Sequence, residues 1–124
     1  MPLVEERPNY PYVVRRADAT SAWINDLLIT QSCVVTPRHM LHPWRPMQVS
    51  ELEETDLQAV FALNTELILL GTGAQQIFPS LPIQSQCFSR GIGLEIMTNQ
   101  AAARTYTIVA AEQRRVALAL LFPV

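Results

Sequence analysis

The residues of this chain with chemistry to offer fall into a few groups. His39 and His42, with Met40 and Met47 nearby, put imidazole and thioether donors in one stretch, a set that suits a soft metal such as copper. Prolines at 37, 43 and 46 break that stretch, so no scaffold fixes the ligand geometry, and no cysteine or carboxylate completes the set. No metal is expected there. Gly71-Thr72-Gly73 closes an apolar run and opens like a dinucleotide fingerprint, whose glycines let backbone amides approach a pyrophosphate at a helix N-terminus. The third glycine position holds Gln76, and Pro79 and Pro82 keep a long helix from following directly. A plain tight turn at a strand's carboxyl end is the stronger reading.

Cys33 and Cys87 form neither a disulfide framework nor a CxxC pair, and read as small buried hydrophobes in a reducing compartment. Glu95 lies in an apolar strand, either near the strand end in water, the preferred reading, or buried against an arginine. Arg104 can clamp a carboxylate or phosphate, and Tyr106 can donate a proton or stack. With Gly71 and Gly73 these outline a candidate pocket at strand ends, where α/β sheets place their sites. Trp44, flanked by Pro43 and Arg45, reads as a lid over the core edge, with anchoring of a partner as the alternative. Arg104, Glu112, Arg114 and Arg115 form a charged cluster that reads first as a solvated helix end, Glu112 pairing with Arg115. No nucleophile and base are paired: neither histidine lies in the core alternation, and no serine has the elbow context.

These groups need elements to hold them. From Tyr12 onward, YVVRRA, SAWIN, LLIT and SCVVT are rich in β-branched and aromatic residues and are separated by Asp18, Asn25 and Asp26, which predicts a meander of short antiparallel strands. The proline-broken TPRHMLHPWRPM is expected to be a loop. Thr55 with Gln58 makes a capping box for a helix bearing Leu57, Val60 and Phe61 on one face, ended by a left-handed Asn64. The run Glu66 to Leu70 lacks alternation, which marks a strand covered on both faces. Ser80 caps a short helix closed by Gly91, and the strand Ile92 to Ile96 follows, read as a central one. Thr98 or Asn99 caps an alanine-rich helix, and the final strand runs from Val116 to Phe122. Its small face (Ala117, Ala119) is expected to meet the alanine helix, and its large face (Val116, Leu118, Leu120, Phe122) the opposite layer.

Strand and helix alternation over residues 66 to 122 predicts an α/β domain with a mixed central sheet. At 124 residues the chain is one domain long, with residues 1–12 a proline-bearing extended leader. A hydrophobic fraction of 49% against 16% charged residues argues against disorder. The formal charge of −2 supplies no basic field for a phosphate backbone, so nucleic acid is a poor partner. No apolar run has the length of a membrane span, and the first residues lack the pattern of a secretory signal, so a cytoplasmic location is expected.

The run LLGTGA, then GIGLEIMT, then AAARTYTIVAAEQRRVALALL resembles an Mth-type domain-of-unknown-function family, whose relatives include a mitochondrial complex I assembly factor and an adipogenesis-associated protein. Gly71 and Gly73 match its glycine turn, Gly91 its helix stop, Glu95 and Met97 its strand end. Arg104, Thr105 and Tyr106 match its arginine, threonine and tyrosine run, and Glu112, Arg114 and Arg115 its charged turn. Departures lie at Thr98 and Asn99, at Ala103 where cysteine is frequent, at Thr107 and at Gln113; they put in doubt any function needing a thiol or an acid there. The resemblance implies a compact three-layer α/β domain with no established catalytic residues and no cofactor. It also implies an interaction or assembly role with a protein partner. Short edge strands and an exposed tryptophan are compatible with a homodimer.

Overall fold

The computed structural model describes residues 9–123, so most of the expected leader, Pro2 and Pro8 included, lies outside the described residues. Where that leader ends it is tied down: Tyr10 and Tyr12 pack half-buried against the core, and the Tyr12 amide donates to the Pro37 carbonyl at 3.1 Å. The expected meander then follows as β1 (Val14–Ala17), β2 (Ala22–Ile24) and β3 (Leu27–Ile29), a small antiparallel sheet in that order. Its turns use the residues that tolerate them. Asp18 Oδ1 accepts from the amides of Thr20 and Ser21 at 2.9 and 2.8 Å, and Asn25 takes the left-handed φ of 53° that a tight hairpin requires. Between Val14 and Arg16 the register slips, a β-bulge.

The main sheet is mixed, with strand order β5-β4-β8-β6-β7. Strands β6 (Leu67–Gly71) and β7 (Gly93–Met97) and the final strand β8 (Val116–Leu120) are parallel, while β4 (Cys33–Val35) runs antiparallel to β8 and to β5 (Met40–Leu41). Two corrections follow. Cys33–Val35 leaves the meander for the main sheet, and the proline-broken segment holds the two-residue strand β5. Every residue of β6 and β8 is buried, as runs without alternation require. By contrast β7 is an edge strand, not a central one.

Helix α1 (Glu54–Phe61) starts at Glu53, two residues before the expected Thr55 cap. Asp56 decides this: its carboxylate accepts the Glu53 amide at 2.9 Å and two guanidinium hydrogen bonds from Arg45 at 3.0 and 2.6 Å, holding the first turn from outside. Asn64 at φ 57° and Gly91 at φ 67° end α1 and α2 (Leu81–Ser89) as expected. Thr98 caps α3 (Asn99–Ala111), its side chain accepting from the Ala101 amide at 3.2 Å.

The helices sort onto two faces of the main sheet, and here the packing expectation is overturned. Ala102, Ala103, Tyr106, Val109 and Ala110 of α3, together with the small sheet, cover the large face of β8, Val116, Leu118 and Leu120, and Phe122 just beyond its end. Ala117 and Ala119 face the other way, under Leu57 and Val60 of α1 and Ile83 and Cys87 of α2. Close packing explains the exchange. Two alanine surfaces brought together would bury little area and leave voids, whereas small against large fills each layer on both sides.

Candidate functional site

The glycine turn at the carboxyl end of β6 is where sequence reasoning placed a pocket, and the structure fills it with an asparagine. Asn99, wholly buried at the start of α3, accepts the Gly73 amide on Oδ1 at 3.1 Å. Its Nδ2 donates to the Leu121 carbonyl at 2.8 Å and to the Asp18 carbonyl at 3.1 Å. One side chain thereby ties β6, the exit of β8 and the β1–β2 turn to α3. Gly71 is required by closeness: a Cβ there would press on Asn99 Oδ1 and lie 2.8 Å from Leu120 Cδ2. Gly73 is required by its φ of 101°. The Thr72 amide donates to the Met97 carbonyl at 2.9 Å, so the amides of Thr72 and Gly73 are both engaged within the protein and leave no cradle for a phosphate. Asn99 is the residue that sequence reasoning undervalued as an alternative cap. The signal was present, since Thr98 already supplies the cap and a second polar residue at the helix start has another task.

The other expected site residues are dispersed. Tyr106 is fully buried, and its hydroxyl donates to the Tyr12 carbonyl at 3.1 Å. Burial holds that phenol protonated far above neutral pH, so it is a structural brace and not part of a surface. Trp44 is the lid it resembled, buried with Nε1 3.4 Å from the Asp56 carbonyl, and is not an exposed anchor. Glu95 is exposed on β7, in water as preferred. Arg104 stands exposed on α3 and faces a groove that includes neither glycine.

The charged cluster also divides. Arg114 lies 3.7 Å from Glu66, and Arg115 Nη1 donates to Asn64 Oδ1 at 2.6 Å, so Glu66 and Asn64 replace the expected Glu112 partner. His39 and His42 are exposed, and no group of three or more His, Cys, Asp or Glu side chains suited to a metal gathers among the described residues. Cys33 and Cys87 are free and buried. Burial pushes both thiols up, that of Cys33 to about 12, so neither offers a thiolate nucleophile at neutral pH.

The described surface carries a set of exposed apolar side chains and two grooves. The loop before α2 and the outer side of α2 expose Ile77, Phe78, Leu81 and Phe88. Between the small sheet and α3 runs a groove of about 830 Å³ lined by Arg15, Arg16, Trp23 and Arg104. A second cleft, of about 570 Å³, is bounded by Tyr10, Arg38, His39, Arg114 and Arg115.

Comparison with known proteins agrees with this fold. A Xanthomonas campestris protein solved by NMR superposes with a TM-score of 0.84 at 46% identity, covering 98% of this chain and 92% of that one. A Bordetella pertussis protein described as an Mth938-like domain gives a TM-score of 0.84 at 24% identity, covering 98% and 92%. Among curated proteins, the "13 kDa major membrane protein" of Francisella tularensis subsp. holarctica (strain LVS) is 30% identical over 73 residues, a stretch spanning 59% of each chain. Among the described residues no helix is long and apolar enough to cross a membrane. The family model described as "Protein of unknown function (DUF498/DUF598)" matches residues 14–121, from the first strand of the small sheet to the end of the last strand of the main one, and the chain belongs to that family.

Proposed function

We propose that this domain is a protein-recognition module of the assembly-factor kind, docking its partner on the outer side of α2 and the loop that leads into it. One observation carries the reading. Of the eight large hydrophobic side chains exposed among the described residues, four (Ile77, Phe78, Leu81 and Phe88) fall between positions 77 and 88, and scattered apolar residues need no explanation whereas a concentration does. Leu81 and Phe88, 75% and 86% exposed, are two helical turns apart and share one side of α2. The loop is held in place: Thr72 Oγ1, in the glycine turn, accepts the Ile77 amide at 3.1 Å, and Gln84 Nε2 donates to the Pro79 carbonyl at 2.8 Å. A surface already ordered loses less entropy on docking. In this reading Gly71 and Gly73 act indirectly, by setting the loop, whereas Glu95, in register with Leu69 on the α3 side of the sheet, lies outside the docking surface. A reducing, cytoplasmic setting suits the two free thiols.

The test is affinity capture at native expression with the wild-type chain and a Leu81→Glu, Phe88→Glu double variant. The wild type is expected to bring down one partner in stoichiometric amount and the double variant to lose it at unchanged melting temperature. Recovery of the same proteins by both, or of none by the wild type, refutes the proposal. Light scattering on the two chains identifies the case in which the partner is a second copy.

A second reading is favoured by the name of the Francisella relative: the same apolar side chains would rest on a membrane surface. A net charge of −2 gives no attraction to anionic lipid, so protein docking is preferred. Co-sedimentation with vesicles separates the two.

A further inference from the structure

The groove between the small sheet and α3 lies on the other side of the main sheet from α2 and is independent of the docking face. Its floor is a cross-strand row. Arg16 pairs in register with Trp23, and Trp23 with Leu28, so guanidinium, indole and leucine stand side by side. The bulge breaks the alternation of β1, leaving the consecutive residues Arg15 and Arg16 both exposed between buried Val14 and Ala17. The facing wall is α3, where Gln100, Arg104 and Thr107 recur at helical spacing on one side.

Charge gives this groove its meaning. Arg15 has a partner in Asp26 at 3.4 Å, but among the described residues Arg16 and Arg104 make no ion pair and no side-chain hydrogen bond. The acid at the groove, Asp18, is exposed but held by its own turn: its Oδ1 accepts the amides of Thr20 and Ser21 and both their hydroxyls, at 2.8 to 3.2 Å, and it pairs with neither arginine. Two uncommitted guanidiniums therefore flank an indole, in a chain that is acidic overall. Arginine's planar fork matches a carboxylate or phosphate edge, and the indole supplies a flat apolar seat. The cavity, about 830 Å³, is of the size that small molecules occupy. A polyanion is the wrong occupant, because a nucleic-acid backbone needs a stripe of cations and the groove has three.

We propose that this groove binds a small organic anion, its flat body on Trp23 and Leu28 and its phosphate or carboxylate between Arg16 and Arg104. The chain's two tryptophans supply both probe and control, since Trp23 lines the groove and Trp44 is buried in the layer on the opposite face of the sheet. The ¹⁵N-labelled full chain is titrated separately with phenyl phosphate, benzoate, inorganic phosphate and phenol, following the two indole N–H signals. Phenyl phosphate or benzoate is expected to move the Trp23 signal saturably and leave Trp44 still, and which of the two binds more tightly identifies the anion. Inorganic phosphate should bind about tenfold more weakly, and phenol should not bind. Arg16→Gln and Arg104→Gln should each weaken binding by about fivefold or more, whereas Arg38→Gln, which removes the same charge outside the groove, should change nothing. Both arginines are exposed, so the amide spectra of these variants should show an intact fold. The proposal is overturned by no saturable shift up to about 10 mM, by equal binding of inorganic phosphate, or by equal effects of Arg38→Gln and Arg104→Gln.

Discussion

Replacing Asn99 by alanine removes three hydrogen bonds in one step, and the structure specifies what each loss costs. The Gly73 amide and the Leu121 carbonyl, both in buried bonds, would be left without partners. A buried orphan of this kind costs about 1–3 kcal/mol. The Asp18 carbonyl is only part-buried, so water replaces its bond at about 1 kcal/mol or less. The sum is about 2–7 kcal/mol, a large share of the 5–15 or so that a native domain possesses. At about 4 °C per kcal/mol for a chain of this size, melting should fall by about 8–28 °C. Thr98→Ala, one residue earlier, removes only the cap and should cost about 1 kcal/mol. Asn99→Asp keeps the shape but turns an acceptor toward two carbonyls and buries an unpaired charge. Burial raises that carboxyl's pKa in the folded state, so stability is retained below the unfolded value near 3.9 and lost as pH rises above it. Urea unfolding followed by circular dichroism at pH 7 and pH 4 measures all three. An Asn99→Ala chain within about 1 kcal/mol of wild type, or an Asn99→Asp chain indifferent to pH, would refute the idea that this residue joins the layers.

Other expectations follow from the same contacts. Gly71→Ala should destabilise by about 1–3 kcal/mol, measured by urea unfolding, because its methyl would press on Asn99 and lie 2.8 Å from Leu120 Cδ2. Tyr106→Phe leaves the Tyr12 carbonyl without its donor and should cost about 1–2 kcal/mol in the same assay. Cys33 should resist a thiol reagent at pH 8 in the folded chain and react at once in urea. Between pH 9 and about 12 the unfolded thiol loses its proton while the folded one keeps it, so stability should fall as pH rises through that window, by at most about 1.4 kcal/mol per unit.

The local reading succeeded where a residue's own backbone preference decides the outcome. Asn25 and Asn64 take left-handed φ, Gly91 closes a helix and Thr98 caps one. It failed where distant chain segments compete for one surface. Cys33–Val35 has the composition of any short strand, and only the unpaired edge of β8 recruits it to the main sheet. The start of α1 shifted because Arg45, eleven residues before Asp56, anchors that carboxylate. The candidate site dispersed for a related reason. Arg104 and Tyr106 are two residues apart on a helix, which turns them to different sides, one to solvent and one to the core.

From the order of residues alone came the α/β class, the doubly covered strand, read at Glu66 to Leu70 and found at Leu67–Gly71, the turns and the free cysteines, because propensity, alternation and glycine or asparagine chemistry act over a few residues. Tertiary structure alone decided which face of Val116–Leu120 receives the alanine helix, that Asn99 fills the glycine turn, and that Arg16, Trp23 and Arg104 share a groove. Those are matters of volume and pairing between segments dozens of residues apart, and no short-range preference encodes them.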